Sequence, residues 1–477
     1  MSRKSQIRQS AIALVALLAA GWSLWVLEGA RAGLSYEKLN LGLTPVTRIS
    51  DGSDGPIVVI SHGFAGSQQM MLGYADVMAQ AGYTVFTFDF EGHGRNPVPM
   101  SGDVTSENGT TRLLVDQTLS VIEAVRSPQQ PVALVGHSMA TDILVRAALE
   151  NEHIGPLVLL ATFSGAVTPT APDNMLMITG AWEPRLQGFA ADAVAAAAQD
   201  VMREAIVAPA VEHVAILHSR FGRASALDWL DQFYDRQSDL TVTQSGWALL
   251  VLLAATTVLF APLARLFPLR IDRSPALTRR GFALSVVVPS LGAPLMAWPV
   301  ETKILPVLVA DYLAVHLLIY GLLQGAIQWY LRGRPRAPNL LGTVLLVAWT
   351  IGVFGFFLDR YGANFWPIAE RVGIIAALAL GAVPFMLADS WLVYGARFWR
   401  RVVARAGFLI SLALAVALDF EGLFFIFLIA PVIVLFYLSI GSMGRAAAQR
   451  FGPMSAGLAL GLTLAWALGV SFPLFSV

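Results

Sequence analysis

Cysteine is absent from this sequence. That removes disulfides, zinc-thiolate sites and a cysteine nucleophile from consideration. Charge is scarce as well: Asp, Glu, Lys and Arg make up 13% of the 477 residues, about half of the ~25% usual in soluble domains. Basic and acidic residues balance at 32 each, so there is no excess of positive charge to attract nucleic acid. Histidine numbers seven, and none stands among carboxylates at a spacing that holds a metal. Gly92-His93-Gly94 is not followed by the G-K-[ST] of a phosphate loop. No cofactor or metal is therefore expected. What is abundant is hydrophobic side chain, 56% of the total, which points to a membrane protein before any motif is read.

The texture divides the chain into three. Residues 1–34 carry a basic head, Arg3, Lys4 and Arg8, and then the apolar run 11–27. This reads either as a membrane anchor or as a signal peptide, with Ala30-Arg31-Ala32 as a possible cleavage site. The run is at the short end for a span, ~20 residues being usual. Residues 35–244 alternate short β-branched runs, at 56–61, 83–90, 131–135, 157–162 and 175–179, with helical stretches such as 68–81 and 112–125. Such alternation implies a parallel sheet with helices on both faces. Residues 245–477 hold apolar runs at 246–267, 282–300, 304–327, 340–358, 367–387, 406–420, 423–440 and 454–472, most of them long enough to cross ~30 Å of hydrocarbon.

The loops between those runs set a topology. Arg265, Arg270, Arg273, Arg279 and Arg280 follow the first run, Arg332, Arg334 and Arg336 the third, and Arg397, Arg400, Arg401 and Arg405 the fifth. The intervening loops hold only Glu301-Thr302-Lys303 and Asp359-Arg360. Arginine on every second loop is the positive-inside pattern. Placing Arg445 and Arg450 inside too requires two crossings between 407 and 440. The expectation is eight C-terminal spans, nine with the anchor, with residues 35–244 and the C-terminus on the extracytoplasmic face. Compact loops favour a bacterial inner membrane and a periplasmic domain. Asp311, His316 and Asp389 fall in or near spans, where ionisable groups are costly and often functional; an interhelical polar contact is the plainer expectation.

The strongest motif is Gly136-His137-Ser138-Met139-Ala140, placed after a strand and before a helix. A tight strand-to-helix turn with small flanking residues exposes a serine at the sheet's carboxyl edge. Alanine stands at the last position where glycine is usual. Upstream, Ser61-His62-Gly63-Phe64 and Asp89-Phe90-Glu91-Gly92-His93-Gly94-Arg95 each follow a strand. Together these segments resemble the α/β-hydrolase superfamily, in its monoacylglycerol lipase and serine aminopeptidase-like branch, over about 56–230. The resemblance does not extend to the apolar C-terminal half.

The resemblance implies an α/β-hydrolase fold, and the apolar runs imply an all-α transmembrane bundle joined to it. The resemblance also implies Ser138 as nucleophile and the backbone N–H groups of Phe64 and Met139 as oxyanion hole. Glu183, in the turn Gly180-Ala181-Trp182-Glu183, stands where the family places its acid, with Asp173 as an alternative. His213 stands where it places its base, with His218 as the alternative. His62, His93 and His137 are expected to be structural. Only 163–172 separates two successive strand runs, too short for a helical lid, so the catalytic edge is open or covered by the membrane or the bundle. The expected activity is cleavage of a carboxylic ester, of lipid-like character, through an acyl-enzyme. Acyl transfer, peptidase or amidase chemistry, and a transporter or scaffold with a hydrolase-like binding domain, are the competing expectations.

Overall fold

The structure is a computed structural model that describes residues 3–104, 106–270, 275–300 and 304–476. Arg273 and the loop Glu301-Thr302-Lys303 lie outside the described residues, as do Ser2 and the side chains of Arg3 and Lys4.

A helix, α1 (Arg3–Gly29), leads into an eight-stranded sheet. Its strands are β1 (Ser35–Leu41), β2 (Thr44–Ser50), β3 (Ile57–Ser61), β4 (Thr84–Phe88), β5 (Val132–His137), β6 (Ile154–Leu160), β7 (Asn174–Gly180) and β8 (Met202–Ala208). The spatial order is β1-β2-β4-β3-β5-β6-β7-β8. The first two strands form an antiparallel hairpin that pairs antiparallel with β4, and every other pairing is parallel. This is the α/β-hydrolase fold. The hairpin is not among the strand runs read from the sequence. Its signal is Gly42, which takes φ +63° in the two-residue connection between β1 and β2, as the first position of a tight hairpin turn requires.

The central strands are buried on both faces, so alternate residues feed two separate cores. Val58, Ile60, Ala133, Val135, Leu176 and Ile178 pack on one side against α2 (Leu72–Gln80) and α6 (Arg220–Phe233). Val59, Val132, Leu134, Met175 and Met177 pack on the other against α3 (Arg112–Val125), α4 (Met139–Glu150) and α5 (Pro184–Ala195). Each fully buried aliphatic side chain contributes about 1.5–3 kcal/mol, and the two cores hold the sheet edge rigid beneath the loops that carry the site. No helix lies between β6 and β7, so no helical lid is present.

The C-terminal half is helical. Its longer members are α7 (Ser245–Ala264), α8 (Arg279–Ala297), α9 (Ala310–Arg332), α10 (Leu340–Tyr361), α11 (Ala369–Val393), α12 (Phe398–Leu418), α13 (Ile426–Leu438), α14 (Ile440–Phe451) and α15 (Pro453–Ser471). With α1, eight described helices are long and apolar enough to cross a membrane; a ninth crossing arises if the bent pair α13–α14 counts as one. The run 406–420 is no short span, because its helix begins at Phe398. The run 423–440 is shorter than a span in α13 itself and continues through a 41° bend into α14. Asp311 lies in the first turn of α9, where its carboxylate accepts the N–H groups of Ile304 (2.9 Å) and Leu305 (3.0 Å). His316 Nε2 meets Ser411 Oγ at 3.0 Å, an interhelical contact.

The carboxyl edge of the sheet's parallel strands abuts the bundle. Arg95, in the loop after β4, donates from one terminal nitrogen to both Asp359 oxygens (2.7 Å each) and from Nε to Asn364 Oδ1 (3.0 Å). The buried Arg371 of α11 donates to the carbonyls of Gly92 (3.0 Å), Gly469 (3.2 Å) and Phe472. The C-terminal segment runs beside the same loop: Leu474 N–H donates to Gly92 O, and Ser476 N–H to Met100 O, both at 2.8 Å. Gly92 is required at this seam, because a Cβ there would lie 2.5 Å from the Leu474 carbonyl oxygen.

Candidate active site

Ser138 sits between β5 and α4 with φ +54°, ψ −117°, a backbone conformation that costs a non-glycine residue energy and concentrates at functional sites. The flanking residues permit the turn. A Cβ at Gly136 would stand 2.5 Å from Leu144 Cδ1 and 3.2 Å from Ala140 Cβ. Glycine at 136 leaves room for the alanine at 140, since a second side chain here would crowd both Ala140 and Leu144.

Glu183 follows β7 and His213 follows β8, and both return to the serine. His213 Nε2 lies 2.8 Å from Ser138 Oγ, and His213 Nδ1 lies 2.6 Å from Glu183 Oε1. With Nδ1–H donating to the carboxylate, Nε2 is left to accept the serine proton. Glu183 is itself fixed: Oε2 accepts the Gly180 N–H at 2.8 Å, and its side chain is only 8% exposed against 43% for His213. The carboxylate is dry while the imidazole faces the open edge. A Cβ at Gly180 would come within 2.7 Å of Val211 O and 2.9 Å of Glu183 Oε2, so glycine is needed where acid and histidine loops meet.

Met139 follows Ser138 directly, and Phe64 follows Gly63, which touches the elbow. Met139 opens α4, where the first N–H groups have no partner within the helix. Gly63 lies close enough to the elbow that an added Cβ would be 3.0 Å from Ser138 Cβ. The backbone N–H groups of Phe64 and Met139 have no acceptor among the described residues, which leaves both available to an oxyanion.

The alternatives fall elsewhere. Asp173 precedes β7 and sits at the opposite edge of the sheet from Ser138. His218 ends a short turn of helix and lines a separate cavity with Leu27, Arg31 and Tyr361. His62 and His93 brace turns: His62 Nδ1 donates to Gly63 O (2.8 Å) and its Nε2 accepts from Phe90 N–H (3.1 Å), while His93 Nδ1 donates to Glu91 O (2.9 Å). Asp89 gathers the same loops, accepting from Gln68 N–H (2.8 Å) and Arg95 N–H (3.0 Å). Sequence reasoning missed a positioning contact. His137 Nε2 donates to the carbonyl of His213 at 2.7 Å, tethering the histidine loop to the elbow; burial lowers His137 to about 4, so the ring is neutral. Among the described residues no group of three or more His, Asp or Glu side chains is arranged to hold a metal ion.

Residues 53–239 match the family model described as serine aminopeptidase, S33. The match covers less than half of the chain and coincides with the sheet domain. Solved structures similar to the chain include a dienelactone hydrolase from Anabaena variabilis (14% identity, 43% of this chain and 98% of that one, TM-score 0.34). Others are the mouse alpha/beta hydrolase domain-containing protein 10 (12% identity, 42% and 98%, TM-score 0.35) and a bacterial membrane phospholipase A (14% identity, 48% and 98%, TM-score 0.34). No curated protein matches the chain. The family match, over a domain of this fold, supports a serine-type hydrolase.

Proposed function

We propose that the protein is a membrane-embedded serine hydrolase that cleaves acyl esters of lipid-like character. The observation that carries this reading is the unbroken chain Glu183–His213–Ser138, at 2.6 and 2.8 Å, beside two unpaired N–H groups. Ser138 Oγ attacks the ester carbonyl carbon and its proton passes to His213 Nε2. The N–H groups of Phe64 and Met139 stabilise the oxyanion, each worth on the order of 3 kcal/mol in the transition state. The C–O bond to the alcohol then breaks as His213 returns the proton to the leaving oxygen. Water attacks the acyl-enzyme, gives a proton to His213, and releases the carboxylic acid with Ser138 restored.

Two features favour an apolar substrate. The open edge is rimmed by the exposed side chains of Phe163, Trp182 and Val214, one from each loop that follows a strand on that side. The helices beside the domain expose Leu250, Leu291, Leu322, Leu380 and Leu435 on their outer faces, as a bilayer requires. α1 packs on α7 through Leu27, Leu249 and Leu252, and Glu28 pairs with Arg360 at 2.7 Å; both contacts favour a retained anchor. The arginine-rich loops favour a cytoplasmic face for that end of the bundle, and an extracytoplasmic, in a bacterium periplasmic, hydrolase domain.

The test is covalent labelling of the full-length protein with a fluorophosphonate. Wild type is expected to label on Ser138, and Ser138→Ala to lose the label. A folded wild-type protein that stays unlabelled would remove the enzyme reading.

A further inference from the structure

A cavity of about 170 Å³ lies on the bundle side of the loop after β3. One wall is Phe64 and Ala65; the others are Val307 to Val309, Phe425, Ile429 and Val432 of the α13 region, and Leu468 and Ser471 to Pro473 with Phe475 at the end of α15. The loop that bears the candidate oxyanion donor is thus also the wall of a cavity between helices. Its neighbour Gly63 touches the nucleophile's turn. The Phe64 ring packs on Phe425 at 5.3 Å, so the sheet domain and the bundle share one surface here.

The lining is almost wholly hydrocarbon, with Ser471 the one hydroxyl. Val307, Ile429 and Leu468 are buried, whereas Val432 is 40% exposed and Ser471 is exposed. The cavity therefore has a closed end and a mouth on the outer face of the bundle. An apolar cavity of ~150 Å³ is enough to take up a benzene molecule, so this one takes about six carbons, and a longer chain projects through the mouth.

We infer that this cavity is the acyl-chain subsite of the hydrolase: the substrate's acyl group lies across Phe64 and Ala65 into the bundle, and reaches the serine laterally from the lipid phase. The inference rests on the serine-hydrolase reading above. It gives the bundle a direct part in catalysis, since helices more than 160 residues from the elbow select the chain.

The experiment uses full-length protein in detergent, with p-nitrophenyl butyrate and octanoate as substrates and fluorophosphonate labelling as the measure of folded, active serine. Val432→Trp plugs the mouth from an exposed position, where added bulk strains no core. It is expected to lower the octanoate-to-butyrate ratio of kcat/KM about tenfold. Leu468→Ala lengthens the cavity and is expected to raise the octanoate-to-butyrate ratio. Val434→Trp, exposed on the same helix but outside the cavity, should keep the wild-type ratio. If Val432→Trp labels normally and retains the wild-type chain-length profile, the subsite is wrong while the hydrolase stands. If wild type itself neither labels nor cleaves either ester, both fall. Should Leu468→Ala fail to fold, Val432→Trp decides alone.

Discussion

Replacing Glu183 by glutamine tests the triad at a point where the structure dictates which atom goes where. The carboxylate accepts two N–H groups, from Gly180 (2.8 Å) and from His213 Nδ1 (2.6 Å). Glutamine has one acceptor oxygen to offer. The Gly180 N–H is backbone and can only donate, and leaving it unpaired in a buried turn costs about 1–3 kcal/mol. The amide oxygen therefore goes to Gly180 and the NH₂ faces His213. Nδ1 must then accept, which moves the imidazole proton to Nε2, opposite Ser138 Oγ. A protonated Nε2 cannot take the serine proton. The corresponding change in a chymotrypsin-type triad costs ~10⁴ in kcat, or about 5 kcal/mol at 1.36 kcal/mol per decade. The same loss is expected here, with no loss of fold because the Gly180 contact survives. The assay is ester turnover together with the rate of fluorophosphonate labelling, on protein whose melting temperature in detergent matches wild type. A folded Glu183→Gln variant within tenfold of wild type in both would refute the assignment of Glu183.

Acid should destabilise the sheet domain before it reaches the carboxylates. Burial holds His62 below its ordinary value, His93 at about 3, and His137 and His218 at about 4, whereas an unfolded chain protonates histidine near 6.5. Stability from these groups is complete above pH ~6.5 and is lost as pH falls toward 4, since the unfolded chain then binds more protons. Asp76, raised to about 6 by burial, works the other way, as do Glu91 and Asp228, both raised by burial, but these are three groups against four. Melting temperature is expected to fall steeply between pH 7 and 5; a flat profile would show that the rings are solvated. The absence of cysteine makes sidedness measurable with single engineered cysteines. Gln449→Cys, at the end of α14, is expected to react with an impermeant maleimide only from the membrane face opposite to Ser476→Cys, and reaction of both from one face would refute eight crossings after residue 245.

The parts of the site that were legible in the sequence are those whose chemistry is local. The elbow shows itself because Gly136, Ser138 and Ala140 must be adjacent for the strand to turn into α4. Glu183 is found because Gly180 opens its turn, and His213 because it follows the last strand. What stayed hidden depends on residues distant in the chain. Arg95 stands at the end of the Gly-His-Gly segment as if it closed that turn. Its partners Asp359 and Asn364 lie in the far half, and no local pattern announces them. His137 reads as a packed elbow residue until the carbonyl of His213 is seen beneath it. The cavity against Phe64 is less legible still, since its lining comes from one sheet loop and three separate stretches of the helical half.

Parity joins the two halves of the molecule. Ser245 begins α7 beside the hydrolase domain, where Ser245 Oγ accepts from Arg223 at 2.8 Å. The chain ends beside that domain as well, with Leu474 and Ser476 bonded to Gly92 and Met100. A chain that starts and finishes on one side crosses an even number of times. The single helices from α7 to α15 that are long enough to span are seven, which is odd. An even number is reached if the bent pair α13–α14 supplies an eighth crossing, though neither helix is long enough alone. Before the bend, Ile429 and Val432 line the cavity wall; beyond it, α14 continues to the arginine-bearing end, where Arg450 donates to the Arg265 carbonyl at 3.0 Å.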